Sequence, residues 1–162
     1  MSSDARELRN CLGQFATGVT VITCAGDDGL ACGITANSFS SVSLEPPLVL
    51  WNIAKTSISL EAYLAASHFA INVLAVDQQD ISAHFAKSDH THFDGVEHEI
   101  SDQGVPLLPG TLACFECRTF KIHDCGDHHI IIGEVEHFRR DDKEPLLFFN
   151  GHYAAVREGS NT

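Results

Sequence analysis

Basic residues are scarce in this chain: ten Lys and Arg stand against 22 Asp and Glu, for a formal net charge of −12. A nucleic-acid surface needs cations clustered along a phosphate track, and ten scattered ones do not supply it, so no nucleic-acid partner is expected. Long apolar runs are also missing. No stretch approaches the roughly 18 residues of a membrane span, and no apolar segment follows a basic region near Met1. A soluble, cytoplasmic protein without a membrane partner is the expectation. Neither a GxGxxG turn nor a Walker-type P-loop occurs, which removes the two commonest glycine-rich routes to nucleotide binding. There are no internal repeats or low-complexity segments, and 162 residues fit a single domain with its own core.

Six cysteines, at positions 11, 24, 32, 114, 117 and 125, are too scattered to demand a disulfide framework, so reduced thiols are expected. Cys114-Phe115-Glu116-Cys117 has CxxC spacing. It lies in an alternating strand pattern, where residues three apart face opposite sides of a sheet, and neither a shared metal nor a disulfide is expected there.

Strand patterns dominate what is present. An opening helix is predicted over 4–15, with Leu8, Cys11, Leu12 and Phe15 on one face and Gly18 as its stop. The β-branched run 19–24, the turn Gly26-Asp27-Asp28-Gly29 and the return 30–34 read as a hairpin. Residues 33–47 form a hydroxyl-rich stretch that reads as an anion-binding turn. Behind it, 47–53 is a buried strand, and Ala54-Lys55-Thr56-Ser57 is expected to open a helix whose N–H groups attract phosphate, with Thr56 or Ser57 as cap. Further on, 68–74 alternates, with Phe69, Ile71 and Val73 on one face. A short helix begins at Asp77 and Asp80 and ends near Ala86, and 87–110 is expected to be a long surface loop that orders around a ligand or partner subunit. Strands at 111–124 and 128–139 form a long hairpin, 145–150 is a last strand, and 159–162 is a tail. The pattern implies a small barrel or closed sheet with helices at its ends.

Three stretches, Leu12-Gly13-Gln14-Phe15-Ala16-Thr17-Gly18-Val19-Thr20-Val21-Ile22-Thr23, the segment 33–57 and Gly126-Asp127-His128, stand in the order of a known pattern. Through them the chain resembles the flavin reductase-like family, built on the FMN-binding split β-barrel, over about 8–156. The resemblance implies a mainly β fold with short helices, a homodimer with flavin near the subunit interface, and FMN or FAD with NADH as cofactors, NADPH being possible chemically. It implies Thr35, Ala36, Asn37 and Ser38 beside the isoalloxazine or ribityl chain. Asn52, Ala54, Lys55, Thr56 and Ser57 would form the phosphate stretch, with Phe85, Ala86 and Phe93 closing over the flavin. His128 would sit at the nicotinamide as the catalytic-site histidine, with His129 facing away, and Gly151 and Tyr153, flanking His152, would lie on the nicotinamide side.

Each of these has a plainer reading. Asn37 and Ser38 also suit a turn that satisfies its own backbone. Lys55 also suits a solvated surface, although a cation beside a helix N-terminus is disfavoured without an anion. Phe85 sits at helical spacing from Ile81 and suits a core, whereas Phe93, in a polar segment, is harder to explain by packing. His84, His90, His92 and His98 raise a metal site, but the segment lacks a regular liganding frame and is read as a solvated acidic loop with no metal. Trp51 and Asn52 depart from the aliphatic residues usual in the family, as does Glu45 from the usual Asp. The function implied is an NAD(P)H:flavin oxidoreductase that passes hydride to flavin N5 and supplies reduced flavin to a separate monooxygenase. The alternative is an FMN-retaining flavoprotein for electron transfer, ferric reduction or redox sensing.

Overall fold

A computed structural model describes residues 3–26, 29–87 and 93–157. The expectations for Asp27 and Asp28 in the first turn, for His90 and His92, and for the tail 159–162 lie outside the described residues. Helix α1 (Ser3–Leu12) leads to β1 (Thr17–Gly18), β2 (Thr20–Ala25), β3 (Ala31–Ala36), β4 (Ser40–Leu44) and β5 (Pro47–Ala54). Helix α2 (Leu60–Ala65), β6 (His68–Val73) and α3 (Gln79–Phe85) follow, the last entered through a 3-10 turn at Val76–Gln78. Two short strands, β7 (Glu99–Ile100) and β8 (Pro106–Leu107), precede the long hairpin β9 (Ala113–Cys125) and β10 (His128–Arg140), and β11 (Leu147–Phe149) and β12 (His152–Ala154) close the chain.

Seven strands form one antiparallel sheet in the order β3-β2-β6-β9-β10-β5-β4. Its two outer strands, β3 and β4, are consecutive in sequence and joined by Asn37, Ser38 and Phe39 alone. A flat sheet of this order would hold its edges about 29 Å apart. The chain from Ala36 to Ser40 reaches about 14 Å at full extension. The sheet therefore has to curl until its edges approach. Among the described residues β3 and β4 do not pair with each other, so the barrel remains split along that seam.

Alternation along β5 turns Val49, Trp51 and Ile53 inward and leaves Leu48, Leu50, Asn52 and Ala54 on the outer face. Inside, Trp51 meets Tyr63 of α2 edge-on at 4.9 Å and Phe69 at 6.2 Å, and the fully buried Tyr63 donates its hydroxyl proton to the Ile22 carbonyl at 2.6 Å. Burial holds that phenol well above its ordinary pKa. A second apolar cluster covers the outside of β2, where Val19, Val21 and Leu74 pack under Phe85, Phe93, Leu108 and Leu146. That is why Thr20 through Cys24 are all buried; on β6, Phe69 and Ile71 face the barrel while Ala70 packs with Val105, Leu107 and Cys114, so both faces are buried from Phe69 to Asn72.

Several expectations are corrected. Helix α1 stops at Leu12, where the Gly13 N–H bonds back to the Arg9 carbonyl at 2.9 Å, and Gly18 belongs to β1. Its apolar face is exposed, with Leu8 at 61%, Leu12 at 67% and Phe15 at 80%. The stretch 33–47 is two strands and a three-residue link. Helix α2 begins at Leu60; residues 55–59 form a turn in which Ser57 Oγ bonds Ser59 Oγ at 3.0 Å, so neither Thr56 nor Ser57 caps it. The last strand is a β11–β12 pair. Cys114 and Cys117 do face opposite sides, in different apolar clusters. Burial pushes their thiols up to about 11 and about 12, which makes them poor nucleophiles and poor metal ligands.

The segment expected as a surface loop is anchored where it is described. Val105, Pro106, Leu107 and Leu108 are buried, and the cause is Asn72. Its amide donates to the Val21 carbonyl at 3.0 Å and to Thr23 Oγ1 at 3.1 Å, while its Oδ1 accepts the Leu108 N–H at 3.0 Å. Thr23 in turn donates to the Pro106 carbonyl at 2.5 Å. Removing this fully buried amide takes the acceptor from the Leu108 N–H and a donor from both the Val21 carbonyl and Thr23 Oγ1. We predict that Asn72→Ala lowers unfolding stability by about 3 kcal/mol, measured by urea denaturation; a loss under about 1 kcal/mol would show that the anchor contributes little.

Candidate functional site

The three-residue link at the seam lies on the outer side of β5, and a groove runs along it. Around Asn37 and Ser38 one recess is bounded by Thr35, Ala36, Asn52, Ala54, Ser57 and His128. A second continues from Asn37 past Thr35 and Ala36 to Ser82, Ala86, Phe148 and Tyr153. A third and larger one, about 950 Å³, extends from Asn37, Ser38 and Asn52 to α1, Phe148, Asn150 and Gly151. Asn37 borders all three.

The cross-strand register explains who meets whom. His128 opposes Ala54, and His129 opposes Ile53. Because Ile53 points into the barrel, His129 shares the inner side and His128 the groove side. Gly126 takes φ +63 in the turn that begins β10, a conformation glycine adopts without strain. The neighbouring Asp127 Oδ1 accepts from His128 Nδ1 at 2.7 Å. That hydrogen bond holds the Asp127 carboxyl below its ordinary range, and it leaves Nε2 as the ring nitrogen not engaged by Asp127. The same parity separates the two unusual residues of β5: Trp51 fills the core, while Asn52 borders the groove.

Ser38 has a structural task that the sequence reading did not separate from turn formation. Its hydroxyl accepts the Asn52 N–H at 2.9 Å and donates to the Asn52 carbonyl at 3.3 Å, forming a side-chain rung across the link. Thr35 Oγ1 donates to the Ser82 carbonyl at 2.7 Å, and Ser82 Oγ contacts the Tyr153 hydroxyl at 2.8 Å. Two polar atoms bordering the groove, Asn52 Oδ1 and Thr17 Oγ1, are buried without a partner among the described residues. Buried polar atoms are nearly always satisfied, so each marks a place where a ligand or water supplies the missing bond.

Not every expected residue joins the groove. Lys55 is exposed, its ammonium donating to Asp124 Oδ1 at 2.8 Å and its N–H to the Asp127 carbonyl at 2.9 Å. The hydrogen bond from Lys55 lowers the Asp124 carboxyl. Thr56 is exposed beside it, and neither side chain borders the recess that contains Ser57. Phe85 and Phe93 are core residues, with ring centroids 4.9 Å apart. Phe93 therefore is explained by packing after all, held between Phe85 and His98. Among the described residues no three His, Cys, Asp or Glu side chains converge as metal ligands. The sequence reading missed Arg9, Thr17, Phe39, Ser82, Phe148 and Asn150 as groove residues. Their only sequence signal is that Thr17 and Phe39 fall within stretches that carry the family resemblance.

The groove has an unusual charge character for so acidic a chain. Among the described residues no Asp or Glu borders any of its three recesses, Arg9 is the single Lys or Arg there, and His128 stands at the other end. No helix of the described residues is long and apolar enough to cross a membrane.

The family model described as "Flavin reductase like domain" matches residues 12–157. The FMN reductase (NADH) SmoA of Agrobacterium fabrum is 51% identical over 150 residues, covering 93% of this chain and 85% of that protein. The reductase component of the flavin-dependent trigonelline monooxygenase of Acinetobacter baylyi is 47% identical over 155 residues, or 96% of this chain. This chain spans only half the length of that relative, 50%. In structure, the NADH:FAD oxidoreductase SgcE6 of Streptomyces globisporus superposes with a TM-score of 0.91 at 37% identity, covering 97% of this chain and 95% of that one. A structure of the same protein in complex with NAD and FAD fragments also gives 0.91, covering 98% and 96%.

Proposed function

The chain belongs to the flavin reductase-like domain family, and from that premise we propose that it is an NADH-dependent flavin reductase that supplies reduced flavin to a monooxygenase component. The observation that carries the reading is the convergence of Thr35, Asn37, Asn52, Ser57 and His128 on one groove where, among the described residues, no acid lies and Asn52 Oδ1 lacks a partner. An isoalloxazine ring presents an N–H and two carbonyls on one edge and an apolar face. The groove offers an acceptor at Asn52, short polar side chains at Asn37 and Ser57, and the small side chains Ala36 and Ala54 for close approach to the ring. These residues fit FMN or FAD.

When bound, flavin supplies the two-electron acceptor for the hydride of NADH. What remains for the protein is placement. Ser38 fixes the link against β5, so Asn37 and Asn52 face a bound ring from a rigid frame rather than a mobile loop. Ser57, on a turn tied through Lys55 N–H to the Asp127 carbonyl, would meet the phosphate together with backbone N–H groups. Asp127 orients the His128 ring, leaving Nε2 to position a nicotinamide carboxamide or to steady negative charge on the reduced ring. Ala86, Gly151 and Tyr153, on the other arms of the groove, would contact the nicotinamide side. NADH as donor is supported by the names of SmoA and SgcE6, and release of flavin to a second enzyme by the naming of relatives as reductase components of monooxygenases.

We expect the purified protein to oxidise NADH only when FMN or FAD is added, and to carry little flavin absorbance as isolated. Retained flavin with no turnover of added flavin would instead favour an FMN-retaining carrier. Misplacement of a hydride donor acts on the barrier, where about 1.4 kcal/mol slows the step tenfold. His128→Ala should therefore slow flavin reduction in rapid mixing at least about tenfold while flavin titrations stay near parental values. Loss of flavin binding, or an unchanged rate, would remove this role.

A homodimer belongs to the same proposal. Among the described residues edge strand β4 is unpaired on its outer side, and it exposes Leu44 at 93% and Val42 at 48%. Such an edge is an association hazard unless something covers it, and a second copy would do so. Sedimentation at micromolar concentration should give twice the chain mass; a monomer that still turns over NADH would rule out a site shared between subunits.

A further inference from the structure

Two of the six cysteines face each other across a ladder. Cys24 on β2 stands directly opposite Cys32 on β3, and both side chains enter the same inner apolar cluster, at 0% and 8% exposure. Among the described residues no other two cysteines share a register. Cys114 and Cys117 lie in different clusters, and Cys11 and Cys125 are exposed, one on α1 and one at the end of β9. The Tyr63 hydroxyl, which donates to the Ile22 carbonyl at 2.6 Å, has both opposed thiols within hydrogen-bonding reach. Burial first, and then these two thiols, hold its phenol well above the ordinary range. Two sulfurs that meet one oxygen are close neighbours.

The ladder sets their separation. The Gly26 N–H donates to the Leu30 carbonyl at 2.8 Å. Rungs two apart in an antiparallel ladder are of one kind, so Cys24 and Cys32 also form a hydrogen-bonded pair, with Cα atoms about 5.5 Å apart. Disulfide-linked residues span about 4.4–6.8 Å, which includes that value. Opposed Cβ atoms stand about 5 Å apart or slightly more in such a pair, whereas a disulfide holds them at about 3.8 Å. Closing the bond therefore draws β3 toward β2 by on the order of 1 Å. The strand has room to move, being the outer strand at the seam and, among the described residues, unpaired on its far side. A bond closed under strain is also easily reduced again.

The pair lies two rungs from the end of the hairpin, past Ala25 with Ala31 and Gly26 with Leu30, and Leu30 is already 56% exposed. Fraying of that tip lets a small oxidant reach thiols that the folded barrel covers. In the other direction, β3 runs from Cys32 to Thr35 and Ala36 and then to Asn37, all of which border the groove. Thr35 is tied there to the Ser82 carbonyl at 2.7 Å, so a shift of β3 is felt at the groove wall.

We propose that Cys24 and Cys32 are a thiol pair that hydrogen peroxide closes into a reversible disulfide, and that closure slows flavin reduction by moving β3 at the groove. The source of the oxidant rests on the flavin reductase reading. Reduced flavin that meets dioxygen before a monooxygenase takes it returns to oxidised flavin and yields hydrogen peroxide. One sulfur, as its thiolate, attacks a peroxide oxygen; the O–O bond breaks, and a sulfenic acid and one water form. The second sulfur attacks the first, the S–S bond forms, and the S–O bond breaks to release a second water. The two thiols give up two electrons and two protons, and the peroxide becomes two waters. A reductase running without its partner would thereby slow itself.

The test uses the full chain carrying Cys11→Ser and Cys125→Ser, so that exposed thiols do not compete. After peroxide, the intact mass should fall by two hydrogens and alkylation of the denatured chain should find two fewer thiols. Asp27 and Asp28 lie between the two cysteines in sequence, so a protease that cuts at aspartate separates their peptides, which should stay joined until reductant is added. NADH oxidation with FMN, assayed once peroxide is removed, should fall about tenfold, since an ångström of misplacement can slow a reaction about a hundredfold and the strand absorbs part of the shift. Dithiothreitol should restore it. Adding Cys32→Ala should leave the starting turnover unchanged and abolish the sensitivity. Prolonged turnover of NADH and FMN in air should close the pair unaided, and catalase should prevent this. Peptides that stay separate after peroxide, a linked pair with undiminished turnover, or closure in air despite catalase would each overturn the proposal. In those cases turnover of NADH by the untreated protein keeps the flavin reductase reading intact; an untreated protein that never oxidises NADH with added flavin would remove that reading and this proposal with it.

Discussion

Three residues, Asn37, Ser38 and Phe39, join the two opposite edges of a seven-stranded sheet, and most of the architecture depends on that short connection. It forces the sheet to curl, and it leaves an unpaired seam with the link lying across it. The hydroxyl of Ser38 replaces the missing ladder there by bonding both backbone groups of Asn52. The groove arises where the barrel fails to close. A polar link with exposed backbone at a seam is also what an aromatic, hydrogen-bonding ligand requires, so barrel closure and the proposed binding site share one structural origin.

Strand parity then distributes the roles. On β5, Trp51 enters the core and Asn52 faces the groove; on β10, His129 turns inward and His128 outward. A slip of β10 by one residue against β5 would turn His128 inward and His129 to the groove side. The register is held by a long hairpin whose thirteen-residue strands β9 and β10 are flanked by β6 and β5. The catalytic proposal for His128 therefore depends on core packing of Trp51, Ile53 and Ile131 as much as on the Gly126-Asp127 turn.

Where burial produced a periodic trace, the sequence was readable. The β-branched run of β2, the apolar run of β5 and the long hairpin were all recognisable, and so was the parity of His128 against His129. The strand β4 was not, because its Ser-Ser-Val-Ser-Leu sequence lies on an exposed edge and carries no apolar signal. α2 starts later than the Lys55-Thr56-Ser57 polar run suggested, because residues 55–59 turn before it and Ile58 stays 67% exposed. Residues 105–108 looked like loop because a polar side chain, Asn72, anchors them from more than thirty positions away, and no periodicity records such a contact. Phe93 looked like a ligand residue for a similar reason, since its partners Phe85 and His98 belong to no shared element. Among the residues expected at the site, Thr35 to Ser38, Asn52, Ala54, Ser57 and His128 border one recess, and Lys55, Thr56, Phe85 and Phe93 do not border it. Arg9 gave no signal, being one cation on an exposed helix until the fold set it over the groove.

Amide hydrogen exchange on the full chain, with and without saturating FMN, addresses most directly the claim that the barrel's seam is the flavin seat. Bound flavin should slow exchange in peptides covering 35–40 and 52–58 and leave the Phe85–Phe93 cluster and the β9–β10 end near Arg140 unaffected. Protection that skips 35–40, or that appears only around the Phe85–Phe93 cluster, would place flavin elsewhere and contradict the account.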